Sequence, residues 1–483
     1  MSELPQGWAQ AYISDLADIN PKQDFDDHLP AGFVPMSHAP TNFRDKLRFD
    51  ERNWGEIKKA YTNFKDGDVI FAKVTPCFEN GKAALVEGLP NGIGAGSSEF
   101  FVLRPSSEGV SAKYLLALIK SREFMLEGAA NMTGAVGLRR VPRQFVEGFA
   151  LPVPPAAEQT RIAQKLDELL AQVDTLKARI DAIPTLLKRF RQSILAAAVS
   201  GRLTEEWRSH NPDVKIISIS DLKAAWADIY QSNGRKYKET DCLPGEFDHP
   251  LPDSWIDAKI GEVFDVYVGA TPSRENSDFW GGAIPWVSSS EVAFCRIKAT
   301  KESVTEAGYN SASTNIHPAG TVMLAMIGQG KTRGQPAILD IEACHNQNTA
   351  AIRVHPNYCI PEYLYYYLYE RYEETRRVGS GNNQQALNKK AVQSLPFPLP
   401  PLAEQAEIVR RIEQLFAFAD QLEAKVTSAK SRIDHLTQSI LAKAFRGELV
   451  PQDPSDEPAS VLLERIKAQR AVAPKAKRAR KDA

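Results

Sequence analysis

The strongest candidate for catalytic chemistry in this sequence is a short acidic segment near the middle of the chain. Asp253, Asp257 and Lys259 lie close together, and two carboxylates with a lysine are the side chains that metal-assisted phosphodiester hydrolysis uses. Their spacing is too tight for that arrangement, and the matching segment near the N terminus, LPQGWAQAY, contains no acid. We therefore interpret the segment as a surface turn that leads into a strand.

A glycine-rich segment, Gly92–Gly96, has part of the composition of a nucleotide-binding loop. It lacks the third glycine of that motif, a following helix and the acidic residue further on, so we expect a flexible loop. The sequence also contains no phosphate-binding lysine loop and no H-E-x-x-H helix. The five cysteines form no C-x-x-C pair. These patterns indicate a chain without a catalytic or metal site of its own.

Four polar, glycine-rich segments are better candidates for a functional surface. They are Thr75–Leu85 and Met132–Arg143 in the first half of the chain, and Ile327–Ala337 and Val378–Lys390 at matching places in the second half. Asn and Gln can form paired hydrogen bonds with adenine, and Arg and Lys can form them with guanine. The segments therefore have the side chains of direct base readout, although a solvated loop is an equally good interpretation of each one alone. The candidate DNA-binding residues here are Lys73, Asn80, Lys82, Thr133, Arg139, Arg140, Gln329, Lys331, Thr332, Arg333, Asn382, Asn383, Gln384 and Lys389.

A fifth segment, Tyr267–Val292, combines small polar residues with aromatic ones. Ser273 and Arg274 are candidate phosphate contacts, which would fix the position of DNA without carrying sequence information. We expect Trp280 and Trp286 to pack in the core rather than to stack on bases.

These segments are ordered by an internal duplication. PVPPAAEQTRIAQKLDELLAQVDTLKARI from Pro152 matches PLPPLAEQAEIVRRIEQLFAFADQLEAKV from Pro398, at an offset of 246 residues, and the same offset relates QSILAAAVSGRL to QSILAKAFRGEL. The regions before these repeats share mainly framework positions, as in LPQGW from Leu4 and LPDSW from Leu251. We infer a common scaffold that carries two different surfaces.

Each repeat contains a long segment whose apolar residues are three or four positions apart. A sustained 3.5-residue period predicts a coiled-coil seam, and about 44 residues would form a helix of roughly 66 Å. Pro155 and Pro401 should mark the starts of the two helices, and Gly201 and Gly447 their ends. Pro184 should kink or locally break the first helix. The predicted helix-pair interface consists of Ile162, Leu166, Leu169, Val173, Leu176, Ile180, Leu187, Ile408, Ile412, Leu415, Leu422, Val426, Ile433 and Leu436.

The duplication predicts an α+β chain in which two mixed α/β domains are joined by two long antiparallel coiled-coil helices, with pseudo-two-fold symmetry. A dimeric coiled coil with unrelated heads is the alternative. In chain order, the predicted parts are a first domain at 1–150, the first long helix at 151–203, a short helix and linker at 204–250, a second domain at 251–396, the second long helix at 397–449, and a short helix with a basic flexible tail at 450–483.

The composition is that of a globular protein, with 43% hydrophobic and 25% charged residues. The 59 basic and 60 acidic residues nearly cancel, so the net charge gives no general signal for nucleic acid. The sequence shows no secretory start and no run of about 18 apolar residues. We expect a cytoplasmic protein without a membrane partner.

The helix repeats resemble the specificity subunit of type I restriction-modification systems. The resemblance rests on PPxAEQ at Pro154–Gln159 and Pro400–Gln405, on the heptads, and on the QSILAxAxxGxL helix ends. GATPSRENSDFWGGAIPWVSSSEV is similar to a motif of the target recognition domains in that family. The resemblance covers nearly the whole chain. It implies that 1–150 and 251–396 are target recognition domains, each recognising half of an asymmetric bipartite DNA sequence, with the helices setting the spacer length.

The resemblance also implies partners. These are double-stranded DNA, two modification subunits that bind S-adenosylmethionine and methylate adenine, and two ATP-dependent restriction subunits that cut DNA. S-adenosylmethionine, ATP and Mg²⁺ would then belong to the partner subunits, while this chain would bind no cofactor and would not be an enzyme. Since the net charge is near zero, partner subunits should supply much of the attraction to phosphates. Two other hypotheses remain: a self-sufficient DNA-modifying enzyme, which the missing motifs oppose, and a coiled-coil scaffold without a DNA role.

Overall fold

The computed structural model describes residues 4–135, 137–244, 247, 249–328, 331–377 and 387–472. The chain divides into two compact units, one formed by Met1–Ala182 with Val426–Ala483 and the other by Ile183–Lys425. No helix in the described ranges has the length and apolar character needed to cross a membrane.

The N-terminal domain of the first unit is built on two four-stranded sheets. One has the order β2-β9-β6-β7 and is antiparallel throughout, and the other has the order β4-β3-β8-β5 with β3 and β8 parallel. β1 pairs with β12 and joins the two ends of the domain. The strands are β1 (Ala9–Tyr12), β2 (Ala17–Ile19), β3 (Pro30–Val34), β4 (Asp50–Asn53), β5 (Thr62–Lys65), β6 (Val69–Ala72), β7 (Ala83–Leu85), β8 (Ile93–Gly96), β9 (Phe100–Pro105), β10 (Thr133–Ala135), β11 (Leu138–Arg140) and β12 (Ala150–Val153), and the helices are α1 (Ile13–Leu16), α2 (Trp54–Ile57), α3 (Ala112–Ile119), α4 (Arg122–Ala130) and α5 (Arg143–Gly148).

The glycine-rich segment in this domain corrects one expectation. Ile93–Gly96 is the buried strand β8, not a flexible loop. A Cβ atom on Gly94 would lie 2.6 Å from the carbonyl oxygen of Gly32, and one on Gly96 would lie 2.4 Å from that of Val34. The glycines are therefore explained by the close approach of β3 to β8.

The first long helix, α6 (Ala156–Val199), is followed by α7 (Glu205–His210) and α8 (Ile219–Ser232). α6 begins directly after Pro155, as predicted, and the chain leaves it through Gly201 in the left-handed conformation, at φ 77°. The helix is continuous through Pro184, so of the predicted kink or local break the break is not found. A proline removes one ladder hydrogen bond, and the turns on either side keep theirs.

The domain of the second unit repeats the framework. Its larger sheet has the order β14-β21-β18-β19-β16, of which the first four strands correspond to β2-β9-β6-β7, and β13 pairs with β22 as β1 does with β12. A three-stranded sheet, β17-β15-β20, completes it. The strands are β13 (Ile256–Lys259), β14 (Asp265–Val268), β15 (Trp280–Val287), β16 (Cys295–Ile297), β17 (Glu302–Val304), β18 (Val322–Ala325), β19 (Pro336–Leu339), β20 (Cys344–His345), β21 (Thr349–Arg353) and β22 (Pro396–Leu399), and the helices are α9 (Ile260–Val263), α10 (Glu306–Ser311), α11 (Pro361–Glu370), α12 (Tyr372–Arg377) and α13 (Lys389–Gln393).

The second long helix is α14 (Leu402–Arg446), and α15 (Ala459–Val472) follows it. In the first unit, Lys177 pairs with Asp434 at 3.9 Å, and Asp181 pairs with Lys430 at 2.6 Å. Residue numbers rise along one helix as they fall along the other, so the two segments are antiparallel.

The long-helix segments of the second unit are also antiparallel. Arg191 lies 2.5 Å from Asp420, and the carbonyl oxygen of Leu203, just beyond the C-terminal end of α6, accepts a hydrogen bond from Arg411 at 2.8 Å. The numbers again run in opposite directions. The predicted fold class, with two mixed domains joined by long antiparallel helices in a duplicated chain, is confirmed.

The predicted seam is buried at most, but not all, of its positions. Leu176 and Leu436 are 46% and 44% exposed, so the structure does not place them in the core of the first unit. An apolar stripe of period 3.5 drifts around a helix of 3.6 residues per turn, which turns some positions outward. The buried positions are Ile162, Leu166, Val173, Leu187, Ile408, Ile412, Val426 and Ile433, and the half-buried ones are Leu169, Ile180, Leu415 and Leu422.

The duplicated motifs meet at one buried contact in each unit. The indole nitrogen of Trp8 donates to Glu158 at 3.0 Å, and that of Trp255 donates to Glu404 at 2.9 Å. The tryptophans come from the repeated LPxxW segments and the glutamates from PPxAEQ. The two motifs therefore hold the N-terminal segment of each domain against the first turn of the long helix that follows it.

The two glutamates differ in their remaining partners. Glu404 also accepts from Thr204 at 2.7 Å and from Arg208 at 2.5 Å. The second carboxylate oxygen of Glu158 is buried and has no hydrogen-bond partner among the described residues. Burial raises the pKa of Glu158 above its ordinary value. The negative charge of Glu404 is thus well compensated by its hydrogen-bond partners, whereas that of Glu158 is not.

This difference predicts unequal effects of the same substitution. Glu404→Gln should lower the free energy of unfolding by about 2 to 3 kcal/mol, because it leaves the Arg208 guanidinium without its charged partner. Glu158→Gln is the matched control and should cost less than about 1 kcal/mol, since it removes a poorly compensated carboxylate. Urea unfolding of the full chain at pH 7.5 measures both. Equal losses in the two variants would contradict the argument.

Candidate nucleic-acid interface

In the first domain, two of the predicted polar segments lie side by side. One is the loop between β6 and β7, and the other is the β10-β11 hairpin that follows α4. The amide of Thr75 donates to the carbonyl oxygen of Arg139 at 3.0 Å, which holds loop and hairpin together. We call residues 73–82, 133–135 and 137–141 the first paired-loop surface. Six of the candidate residues lie in it: Lys73, Asn80, Lys82, Thr133, Arg139 and Arg140.

An acidic residue organises the charges of this surface. Glu99 accepts three hydrogen bonds from the Arg140 guanidinium, at 2.7, 2.9 and 3.2 Å, and lies 4.0 Å from the Lys73 ammonium. Lys73 also donates to the carbonyl oxygen of Ser98 at 2.8 Å. The pairing with Arg140 holds the pKa of Glu99 below its ordinary value. Lys73 and Arg140 are therefore fixed in position, with part of their charge already compensated.

The other candidates of this surface differ in access. Asn80, Thr133 and Arg139 are exposed, and the Arg139 side chain has no ion-pair partner in the described part of the chain. Lys82 is half-buried and donates to the carbonyl oxygen of Met36 at 2.8 Å. Arg139 is therefore the candidate with the most freedom to bind an incoming group, and Lys82 supports the loop.

A basic segment beside this surface was missed in the sequence. Lys46 and Arg48 are exposed and line a cleft of about 500 Å³ together with Lys82 and Asp45. The run FRDKLR from Phe43 has three basic residues in six and could have indicated a basic patch. The cleft extends the positive surface of the first domain beyond the predicted loops.

In the second domain, the β18-β19 loop occupies the place of the β6-β7 loop. The Tyr372 hydroxyl donates to the carbonyl oxygen of Lys331 at 2.5 Å, and Arg333 donates to the carbonyl oxygen of Arg376. Both bonds tie the loop to α12. Lys331 is exposed, and Thr332 is half-buried. The loop therefore packs on the helix that precedes the second predicted segment.

That second segment is described only in part. The predicted residues Gln329, Asn382, Asn383 and Gln384 lie outside the described residues. Lys389 opens α13, is exposed, and its ammonium lies 5.9 Å from the ring centre of Tyr267.

Arg274 has a fixed environment in the second domain. Its guanidinium lies 3.8 Å from the ring centre of Trp280 and 5.0 Å from that of Trp286, and it is paired with Glu302. The carbonyl oxygen of Ser273 accepts from the Trp280 indole at 3.0 Å. Trp286 is buried, as predicted, whereas Trp280 is half-buried against the arginine. Cation–π packing and the ion pair hold Arg274 in one orientation at the surface.

The geometry defines a class of protein: two domains with one framework, each presenting polar loops of different sequence, on paired helices. The model of the family "Type I restriction modification DNA specificity domain" matches this chain twice, at residues 5–185 and 252–429. The chain belongs to this family. Its role is that of the DNA sequence-specificity subunit, which supplies recognition rather than catalysis and acts on DNA with the other subunits of its system.

Individual relatives agree with this assignment. The specificity subunit of the type I restriction enzyme EcoKI of Escherichia coli K12 is 28% identical over 99% of each chain. That of EcoBI of Escherichia coli is 33% identical over 72% of this chain and 70% of the other. The crystal structure of the HsdS subunit from Thermoanaerobacter tengcongensis shares the fold with a TM-score of 0.61, at 21% identity over 92% of this chain and 98% of that one.

Proposed function

We propose that residues 1–150 and 251–396 are two target recognition domains, each of which recognises one half of an asymmetric bipartite DNA sequence. The observation that carries the proposal is the combination of a shared framework with unrelated loop side chains. The β2-β9-β6-β7 order recurs as β14-β21-β18-β19, while TPCFENGK is replaced by IGQGKTRG in the loop that follows the third strand of each series. A constant framework with different loop side chains fits a pair of readers with different targets.

The residues proposed to contact DNA differ in what they can contribute. The exposed Arg139, Asn80 and Lys331 have the freedom and the donors for base edges. Arg140 and Arg274 are held by carboxylates, which suits contacts to phosphate in a defined position. The other candidate DNA-binding residues predicted from the sequence remain proposed DNA contacts.

The long helices are proposed to set the distance between the two half-sites. Each helix is continuous, over Ala156–Val199 and Leu402–Arg446, and each unit holds segments of both in antiparallel packing. A continuous helix has a fixed rise of about 1.5 Å per residue. Its length would therefore translate into a fixed number of unspecified base pairs.

The proposed assembly contains two modification subunits and two restriction subunits in the cytoplasm. S-adenosylmethionine, ATP and Mg²⁺ would bind to those partners, which would methylate adenine in the target and cut DNA. The near-neutral net charge of this chain supports a division in which partner subunits provide much of the attraction to phosphates.

Domain exchange tests the proposal. Replacing residues 1–150 by the corresponding domain of another specificity subunit should change one half of the methylated sequence and leave the other half unchanged. Single-molecule sequencing of methylated adenines in cells that carry the exchanged complex measures this. Exchange of residues 251–396 is the reciprocal control and should change the other half. If either exchange alters both halves, independent recognition by two domains is wrong, and binding without sequence preference would favour a scaffold role.

A further inference from the structure

Each domain has a tight turn that lies outside the predicted polar segments. It joins β8 to β9 in the first domain and β20 to β21 in the second, and we call both the connecting turn. Where the turn begins, the amide of Ser97 donates to the carbonyl oxygen of Val34 at 3.0 Å, and the amide of Asn346 donates to that of Val287 at 3.1 Å. The two turns therefore occupy the same place in the framework.

The end of the connecting turn is hydrogen-bonded to the start of the candidate readout loop. The amide of Lys73 donates to the carbonyl oxygen of Glu99 at 2.9 Å, and the amide of Met326 donates to that of Asn348 at 2.9 Å. Lys73 opens the β6-β7 loop, and Met326 opens the β18-β19 loop. In each domain, the turn thus lies directly beside a loop that is proposed to contact DNA.

The side chains of the two turns differ completely although their backbones are bonded alike. The first turn has Ser97, Ser98 and Glu99, and the second has Asn346 and Gln347 before Asn348. Ser98 and Gln347, at the middle of each turn, are exposed. The candidate readout loops show the same combination, in which the backbone framework is shared and the exposed side chains differ.

Gln347 is held in one orientation by a neighbouring loop. The Thr271 hydroxyl donates to its side-chain oxygen at 2.5 Å, and Thr271 belongs to the loop that carries Ser273 and Arg274. In the described part of the chain, the side-chain nitrogen of Gln347 has no hydrogen-bond partner. The carbonyl oxygen keeps a second lone pair. Both a donor and an acceptor are therefore free to bind a ligand at the surface.

The base of this turn is rigid. The side-chain oxygen of Asn346 accepts from the amide of Asn348 at 3.1 Å and from the Thr349 hydroxyl at 3.2 Å. Behind it, His345 is buried and also bonds to Thr349, at 2.7 Å. A side chain on a backbone that is fixed in this way needs little ordering when it binds, which favours selective contacts.

We propose that Gln347 is a specificity-determining residue that recognises one base in the half-site of the second domain. The inference rests on the proposed function and deepens it. A glutamine amide offers one donor and one acceptor, the pair that matches N7 and the N6 amino group of adenine in the major groove. Ser98 is the corresponding residue in the first domain and carries only a hydroxyl, so the two half-sites differ at this position.

The test measures the base preference of the assembled methyltransferase complex on DNA libraries randomised in either half-site. Gln347→Ala should relax the preference at one base pair of the second half-site by roughly tenfold and leave the first half-site unchanged. Gln347→Glu keeps the size but loses the donor, so it should disfavour adenine and gain preference for cytosine at the same position. Gln231→Ala, an exposed glutamine on α8, is the matched control and should change nothing.

Three results would overturn the inference. The base preference of Gln347→Ala could stay as in the wild type, or binding could fall equally for all sequences, which is the signature of a phosphate contact. A wild-type complex without any preference in the second half-site would overturn the proposed function together with this residue assignment. An unchanged thermal unfolding midpoint of each variant shows that the fold is intact. A gain of preference for cytosine in Gln347→Glu is a second control, because unfolding cannot produce it.

Discussion

Inserting seven residues at matched levels of both long helices should move the preferred DNA target to a longer spacer. The insertions belong between Asp181 and Arg191 in α6 and between Asp420 and Lys430 in α14, inside the ion pairs that those residues form. One heptad keeps the phase of the apolar seam and adds about 10 Å at 1.5 Å per residue. If the helices set the distance between the half-sites, the spacer should lengthen by up to about three base pairs, since half-sites one turn apart lie about 34 Å from each other.

The effect on the original target should be large. A complex whose two domains no longer reach both half-sites loses the contacts of one of them, and its affinity for the wild-type sequence should fall roughly a hundredfold. Binding to a series of targets with spacers of different length measures both effects. The control inserts the same seven residues between α7 and α8, where they should leave the spacer unchanged. If the helix variant still prefers the original spacer, the proposal that the long helices set the distance between the half-sites is wrong.

The long helices could be predicted because their signal is dense and local. The two long helices begin at Ala156 and Leu402, directly after the prolines, as predicted. Gly201 and Gly447, which were predicted to end them, have the left-handed conformation. Each of these positions depends on backbone properties of one or two residues. The outward rotation of Leu176 could not be predicted in the same way, because it depends on the accumulated twist of the helix and on what packs against it.

The candidate site was predictable in composition but not in arrangement. The bond between Thr75 and Arg139 joins residues 64 positions apart, and nothing in their local sequence indicates that they meet. Gly94 was misinterpreted for the same reason, since the backbone that excludes a side chain there comes from β3. The connecting turn has no motif at all. Gln347 stands out only when the two domains are compared bond by bond.

Two buried histidines should make the second unit sensitive to acid. Nε2 of His317 lies 3.2 Å from Nε2 of His345, and Nδ1 of His317 accepts a hydrogen bond from Arg353 at 3.0 Å. Nδ1 of His345 lies 2.7 Å from the Thr349 hydroxyl and 3.2 Å from the carbonyl oxygen of Asn346. One arrangement satisfies every contact: His317 is protonated on Nε2 and donates to His345, which is protonated on Nδ1. Both rings are then neutral.

Protonation of either ring is opposed by its surroundings. Burial, followed by the neighbouring His345 and Arg353, lowers the pKa of His317 to about 2, and burial lowers that of His345 to about 4. Below the ordinary pKa of about 6.5, the unfolded chain takes up two protons that the folded chain refuses. The stability that depends on the neutral pair is therefore fully present above pH 6.5 and is lost as the pH falls toward 4.

Each such histidine changes the free energy of unfolding by about 1.4 kcal/mol per pH unit in this window, so the pair should contribute a slope of about 2 to 3 kcal/mol per pH unit. Urea unfolding of the full chain between pH 7.5 and 4.5 measures the slope. The double variant His317→Gln with His345→Gln should be less stable at pH 7.5 but should lose most of the dependence. His210→Gln is the matched control, because His210 is exposed in the same unit and its removal should leave the slope unchanged. A double variant that keeps the wild-type slope would assign the acid sensitivity to other groups.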